Sequence, residues 1–299
     1  MNVPSILRRE IDCKQTAVRA VRFNVDGNYC LSCGADKTIK LWNPYTGALL
    51  KTYSGTGWEI LDAQGSCDNS QILAGGLDKQ LSVFDVETGK LTRRWREHNG
   101  AVNSVSFNDE STLAFSGCQD GCVRCFDIRD KSGPVQILNE ATDAILSVDV
   151  GKYEIATGSA DDYLRVYNVR DGTMTMDFLG ESVTSAHFSG DGQCVLASTK
   201  NGFVRLMDKS NGQLLADYVG HKNNEYRIES CLLSTDAHVV SGSEDGNVYI
   251  WDLIEMVVLF RLHHETKIVH SVSAHPTKSF LLSASGSKVF LWEPASLAE

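Results

Sequence analysis

Two sets of residues have the composition of a hydrolytic triad: His221, Ser241 and Asp245, and His98, Ser116 and Asp120. A histidine base, a hydroxyl nucleophile and an orienting carboxylate are the parts of an acyl-transfer site. Such a site also needs an oxyanion hole and an open pocket, and no nucleophile-elbow sequence is present. Two C-x-x-C pairs, Cys30/Cys33 and Cys122/Cys125, have ligand-like spacing. Both fall in strand-like runs, where residues three apart face opposite sides of a sheet. Neither pair can grip one zinc ion without a break in its strand. His263, His264, His270 and His275 gather in sequence, but their spacing fits neither a strand pair at i, i+2 nor a helical H-E-x-x-H. Gly75-Gly76 and Lys79 lack the spacing of a phosphate loop. Neither a metal nor a cofactor is expected.

The elements around these residues repeat. Strand-like runs end on Trp42-Asn43, Phe84-Asp85, Phe126-Asp127, Tyr167-Asn168, Met207-Asp208, Trp251-Asp252 and Trp292-Glu293, at intervals of 42, 42, 41, 40, 44 and 41 residues. Six residues before each pair stand Asp36, Asp78, Asp120, Asp161, Asn201, Asp245 and Gly286. Aspartate suits a tight turn because its carboxylate bonds the backbone two residues on. Alternation within the runs, and turn signals every 8–12 residues, indicate an all-β chain. Ser241–Asp252, preceded by Gly220-His221, carries the whole pattern. The triad-like residues are therefore copies of one repeat position. Outer strands follow Thr46-Gly47, Thr88-Gly89, Ser132-Gly133, Asp171-Gly172 and Asn211-Gly212, and the sixth repeat departs with Ile254-Glu255.

The period and the Gly-His, Asp and Trp-Asp signature resemble the WD-repeat family. The resemblance implies an all-β, seven-bladed propeller of four-stranded antiparallel blades. The blades span about 15–54, 55–97, 98–140, 141–180, 181–220, 221–263 and 264–296. The last lacks room for an outer strand, and residues 5–12 are expected to supply it and close the ring. In this family the His, Ser, Asp and Trp positions form a buried hydrogen-bond network. Here that set is His221, Ser241, Asp245 and Trp251, with His98, Ser116 and Asp120, and with Asp36 and Trp42. Gly286 removes the acid from blade 7, whose network should be weaker.

Composition narrows the function. The net charge is -10, which argues against a basic nucleic-acid platform. Residues 1–10 contain no apolar signal core, and no apolar run reaches the ~18 residues of a membrane helix. Nine cysteines read as reduced packing residues of a cytosolic or nuclear protein. In WD-repeat proteins the narrower face of the ring carries the starts of the first strands and the turns holding the aspartates. That mapping gives Arg19, Leu61, Asn103, Leu146, Thr184, Glu229 and His270, and Gln119, Lys200 and Glu244. Trp58 and Tyr226-Arg227 stand out because Trp, Tyr and Arg dominate interface hot spots. Trp58 either fills a gap between blades or is a surface anchor. Lys222–Arg227 lies in the longest interval and is expected to protrude. Arg19 and Arg227 are read as too far apart in the ring to bind one phosphate.

Ala17–Cys30, Asp36–Pro44 and Gly220–Tyr226 also resemble the mitogen-activated protein kinase organiser family. This implies a non-enzymatic cytoplasmic scaffold for kinase-cascade components, associated also with the nuclear splicing machinery. The expected partners are therefore proteins, bound by a monomeric propeller within larger complexes, without sequence-specific nucleic-acid binding or membrane insertion. The alternatives are a structural subunit of a ribonucleoprotein such as the spliceosome and, from another class, a reader of phosphorylated or methylated residues.

Overall fold

The computed structural model describes residues 3–265 and 268–297. Seven four-stranded antiparallel sheets form a propeller. Blade 1 is typical. Its first strand Val18–Phe23 lies innermost, followed outward by Cys30–Gly34, Ile39–Asn43 and Ala48–Tyr53. Each blade buries both faces against its neighbours, so residues on opposite faces of one strand enter different cores. Cys30 packs with Val18, Val21 and Trp42 on one side of blade 1, and Cys33 with Ile39, Ile60 and Phe84 on the other. The two thiols thus face opposite ways. Cys122 lies one residue ahead of its strand, Val123–Asp127, rather than within it. All nine cysteines are free.

The ring closes through its N-terminus. Pro4–Asp12 pairs with Lys288–Pro294 as the outer strand of the sheet containing Val269–Ala274 and Leu281–Ser285. Closure leaves no gap in the circle of blades. Val3 and Ile11 anchor the strand in two separate cores. Arg8 meets Glu293 at 2.8 Å and Lys288 meets Glu10 at 2.5 Å.

The turn aspartates act locally as their chemistry requires. Asp36, Asp78, Asp120, Asp161 and Asp245 each accept the backbone N–H two residues on. Blade 7 lacks the acid because its turn is shorter. Ser285 pairs directly with Lys288, leaving only Gly286 and Ser287 to reverse the chain. Gly286 there has a φ of 59°, a conformation glycine tolerates without a side-chain clash. In blade 6, Met256 (φ 56°) takes the place held by Gly47, Gly89, Gly172 and Gly212 in sister turns.

Candidate protein-binding face

The hydrogen-bond relays differ from expectation blade by blade. In blade 6 the expected relay does not form. His221 is buried and both its ring nitrogens lack hydrogen-bond partners. It packs edge-on against Trp251 instead, with ring centroids 5.5 Å apart. Ser241 donates to the Gly242 carbonyl, and Trp251 Nε1 to the Val219 carbonyl. The reason is Tyr249, whose hydroxyl takes the Asp245 carboxylate at 2.6 Å. In blade 3, Arg124 stands between acid and base: it bonds His98 Nδ1 at 2.9 Å and Asp120 Oδ1 at 3.0 Å. His98 Nε2 meets Ser116 at 2.9 Å. Blade 7 keeps a three-member relay, Trp292 to Ser283 at 2.8 Å and Ser283 to His264 at 2.7 Å, despite its missing acid.

The complete relay is in blade 1, where Gln15 and Ser32, absent from the sequence expectation, join the expected Trp42 and Asp36. Trp42 Nε1 donates to Ser32 Oγ (2.9 Å), Ser32 to Gln15 Oε1 (2.5 Å), and Gln15 Nε2 to Asp36 (3.1 Å). Gln15, fully buried, does the work of the histidine with a carboxamide that both donates and accepts. Replacing Gln15 with leucine leaves the buried Ser32 hydroxyl without its acceptor and takes one donor from Asp36. A loss of about 1–3 kcal/mol is expected, measured by urea unfolding.

The remaining titratable groups are similarly absorbed. Burial, and for His98 also the Arg124 charge, pushes His98 and His221 down to about 4. Both are neutral at pH 7. His98, Cys118 and Asp120 offer ligand atoms within 4.8 Å of one another. Arg124 already occupies that space, so a metal cation there would face a guanidinium. The four late histidines do not converge. His263 ends the outer strand Val258–His263 and meets Asn247, His264 is in the blade 7 relay, His270 is at the channel mouth, and His275 follows the far end of the His270 strand.

A belt of hydrogen bonds stitches the channel wall. The third residues of the first strands, with Glu229 aligned by strand register, are Ala20, Asp62, Ser104, Ser147, Ser185, Glu229 and Ser271. Asp62, Ser104, Ser147, Ser185 and Ser271 accept the backbone N–H of Val105, Val148, Ala186, Ser230 and Val21 in the next blade, at 3.1–3.3 Å. Ala20 has no oxygen to offer. Arg22, two residues on, compensates by reaching Asp62 at 2.8 Å, Glu229 at 2.7 Å and Ser271 at 3.0 Å. Ser271 donates to Glu229 at 2.6 Å.

Above this belt the channel opens into a pocket of about 220 Å³ lined by Arg19, Leu61, Asn103, Leu146, Tyr226, Arg227 and His270. All seven are named by the sequence reading, Arg19, Leu61, Asn103, Leu146 and His270 by strand position and Tyr226 and Arg227 by residue type. Arg19 and Arg227 share this pocket, contrary to the expectation that the ring separates them. Each is countered within the chain. Arg19 pairs with Glu59. Arg227 spans the channel to the Asn103 carbonyl and lies 3.4 Å from Glu229. Tyr226 packs edge-on against His270 at 5.5 Å. Burial, then the Arg19 charge, lowers the His270 pKa and keeps it neutral.

The loop carrying Tyr226 is tied down rather than free. One oxygen of Glu244 accepts the N–H groups of Asn224, Glu225 and Tyr226 at 2.7–2.9 Å. Burial raises the Glu244 pKa, but these donors outweigh it and hold the carboxyl below its ordinary value. Glu244 is thus the loop's anchor through one of its carboxylate oxygens. Thr184 and Glu229, mapped to the rim by alignment, are buried. Gln119 and Lys200 lie outside the pocket lining, Gln119 exposed and Lys200 half-buried. Trp58 is 62% exposed, with the Lys37 ammonium 5.8 Å from its ring centre. It fills no gap between blades.

A model of the WD domain, G-beta repeat, matches residues 6–43, 212–252 and 256–293. Each match joins one blade's outer strand to the next blade's inner three. A model of the nucleolar protein 10-like N-terminal domain matches 61–223. WD repeat domain-containing protein 83 of Rattus norvegicus is 50% identical over 293 residues, 97% of this chain and 93% of that protein. The chain belongs to the WD repeat domain-containing protein 83 family. The Homo sapiens member is 49% identical over 97% of this chain and 92% of its own length. The Dictyostelium discoideum homolog is 33% identical over 93% and 94%. Membership of the WD repeat domain-containing protein 83 family makes the chain a propeller scaffold for protein interaction. No catalytic family is indicated. Among the described residues, no helix is long and apolar enough to cross a membrane.

Proposed function

We propose that this chain is a non-enzymatic scaffold that docks protein partners at the channel mouth and assembles components of a mitogen-activated protein kinase cascade. The observation that carries the docking site is the exposed Tyr226 beside the mouth pocket, held by a loop whose backbone Glu244 fixes. A rigid aromatic loses little conformational entropy on binding, and loops on a stiff scaffold commonly carry binding residues. Trp58, exposed beside Lys37, extends the surface. The kinase-cascade assignment and its cytoplasmic setting rest on the resemblance of Ala17–Cys30, Asp36–Pro44 and Gly220–Tyr226 to the organiser family.

The test is a pull-down from separate cytoplasmic and nuclear fractions with the wild type and the Trp58→Ala/Tyr226→Ala double variant. Arg227 stays intact because it braces the channel. The wild type should retain cascade kinases from the cytoplasm. The variant should retain them at least roughly tenfold less, the scale of losing hot-spot aromatics, with its melting temperature unchanged. Full retention by the folded variant sinks the docking site. Splicing factors in place of kinases would favour the ribonucleoprotein role.

A further inference from the structure

The polar groups that line the mouth pocket are two guanidiniums, Arg19 and Arg227, the Tyr226 phenol, the His270 imidazole and the Asn103 carboxamide, with Leu61 and Leu146 completing the wall. No carboxylate is among the lining residues. The acids that counter the two arginines, Glu59 and Glu229, stand outside the lining, and Glu229 is buried. A group entering from solvent therefore meets the positive ends of both ion pairs.

The two arginines differ in what they have left to give. Arg227 is committed, with Nη1 on the Asn103 carbonyl and Nη2 beside Glu229. Arg19 spends only its Nε–H, on Glu59. Among the described residues neither of its Nη groups has a partner, and neither is buried. The Arg19 side chain is 35% exposed. Its charge also dominates the field inside the pocket. After burial, Arg19 is the largest influence on the His270 pKa, ahead of the opposing effects of Glu229 and Glu244.

We propose that the mouth pocket takes an acidic side chain of the docked partner, glutamate or aspartate, with its carboxylate on the free Nη groups of Arg19 and its methylene stem against Leu61 and Leu146. This rests on the docking reading above and gives that site a chemistry. A guanidinium offers two parallel N–H bonds that match a carboxylate. A concave site with low-dielectric walls focuses the charge that lines it. Glu59 and Glu229 already draw on both guanidiniums, so a dianionic phosphate would bring more charge than the pocket can offset. A carboxylate brings the smaller load.

The probe is N-acetylglutamate N′-methylamide, with its glutamine and phosphoserine counterparts as controls, titrated into the full chain labelled at Leu and Val methyls. Saturable NMR shifts at the Leu61 and Leu146 methyls are expected, with the glutamate compound at least about threefold tighter than the glutamine one, the scale of a partly exposed ion pair. Arg19→Gln should erase that preference. Glu59→Gln should enlarge it, because the carboxylate it removes competes for Arg19. A residue that merely props the fold would not give these opposite signs, and melting temperatures confirm that both variants are folded. Absence of saturable shifts at these methyls, equal affinity for glutamate and glutamine, tighter binding of phosphoserine, or an undiminished preference in the folded Arg19→Gln variant would overturn the proposal. The docking site is judged separately by the Trp58→Ala/Tyr226→Ala pull-down. Lost capture there with probes that do not discriminate sinks the acidic specificity and leaves the docking site standing. Full capture with probes that do discriminate sinks the docking site and leaves the pocket's preference for acids.

Discussion

Removing residues 1–12 should lower the melting temperature by roughly 10 °C or more. The strand Pro4–Asp12 is the entire outer edge of blade 7. Val3 and Ile11 are 1% and 4% exposed, and burying such a side chain stabilises by about 1.5–3 kcal/mol. Their loss alone removes about 3–6 kcal/mol, at roughly 2–4 °C per kcal/mol for a large domain. The deletion also bares the edge of Lys288–Pro294, an open template for aggregation. Differential scanning calorimetry of the two chains decides the matter. An unchanged melting temperature would show that the ring does not depend on its N-terminal strand.

Replacing Glu229 with alanine should cost about 3–5 kcal/mol, the usual penalty for removing one partner of a buried ion pair. Glu229 is 5% exposed and accepts from Arg22 and Ser271, with Arg227 close by. Without it, Arg22 and Arg227 lose the carboxylate they share, Arg22 keeps Asp62 as its one ion-pair partner, and the stitch from blade 1 to blade 6 is lost. The pH dependence has a definite sign. Burial raises the Glu229 pKa, but Arg22 and the other donors outweigh burial and hold it well below its ordinary 4.5. The unfolded chain therefore takes up this proton first as pH falls. The contribution is fully present above pH 4.5 and shrinks below it. Urea unfolding at pH 7 and at pH 3 should show a wide gap between wild type and variant at pH 7 and a narrower one at pH 3. A gap that stays constant across that range, or no gap at pH 7, contradicts the role given to Glu229.

What the sequence made legible was whatever repeats. The Trp42 to Trp292 series, the five aspartates and the turn signals are copies of one local solution, so each supports the others. First strands such as Val18–Phe23, Val102–Phe107 and Val183–Phe188 could be placed to the residue for that reason. The candidate face was legible to the extent that it follows from repeat position. Arg19, Asn103 and His270 reach one pocket because they stand at equivalent places in blades 1, 3 and 7. What escaped was the deviation from the repeat. Gln15 substitutes for a histidine by chemistry rather than by resemblance, and only its buried contacts to Ser32 and Asp36 reveal it. Ser241–Asp252 matches the repeat best in sequence, yet its histidine makes no hydrogen bond, because Tyr249 has taken the acid. Arg227 looked like a surface anchor, and its reach to Asn103 spans 124 residues. Arg22 gave no signal at all, because the need it meets arises from an alanine two residues earlier on the same strand. The Arg22 compensation joins four blades at once, and no local pattern encodes it.

The central claim is that partners are held at the channel mouth. Cross-linking mass spectrometry on complexes captured from cells tests it most directly, because it returns the partner and the contacted residues together. The account predicts cross-links concentrated at the mouth end of blades 1, 2 and 6, around Lys37, Glu59, Lys222 and Glu225, and reduced there by the Trp58→Ala/Tyr226→Ala double variant. Cross-links confined to the opposite face, around residues such as Lys90, Lys152 and Lys278, and unaffected by that variant, would contradict it.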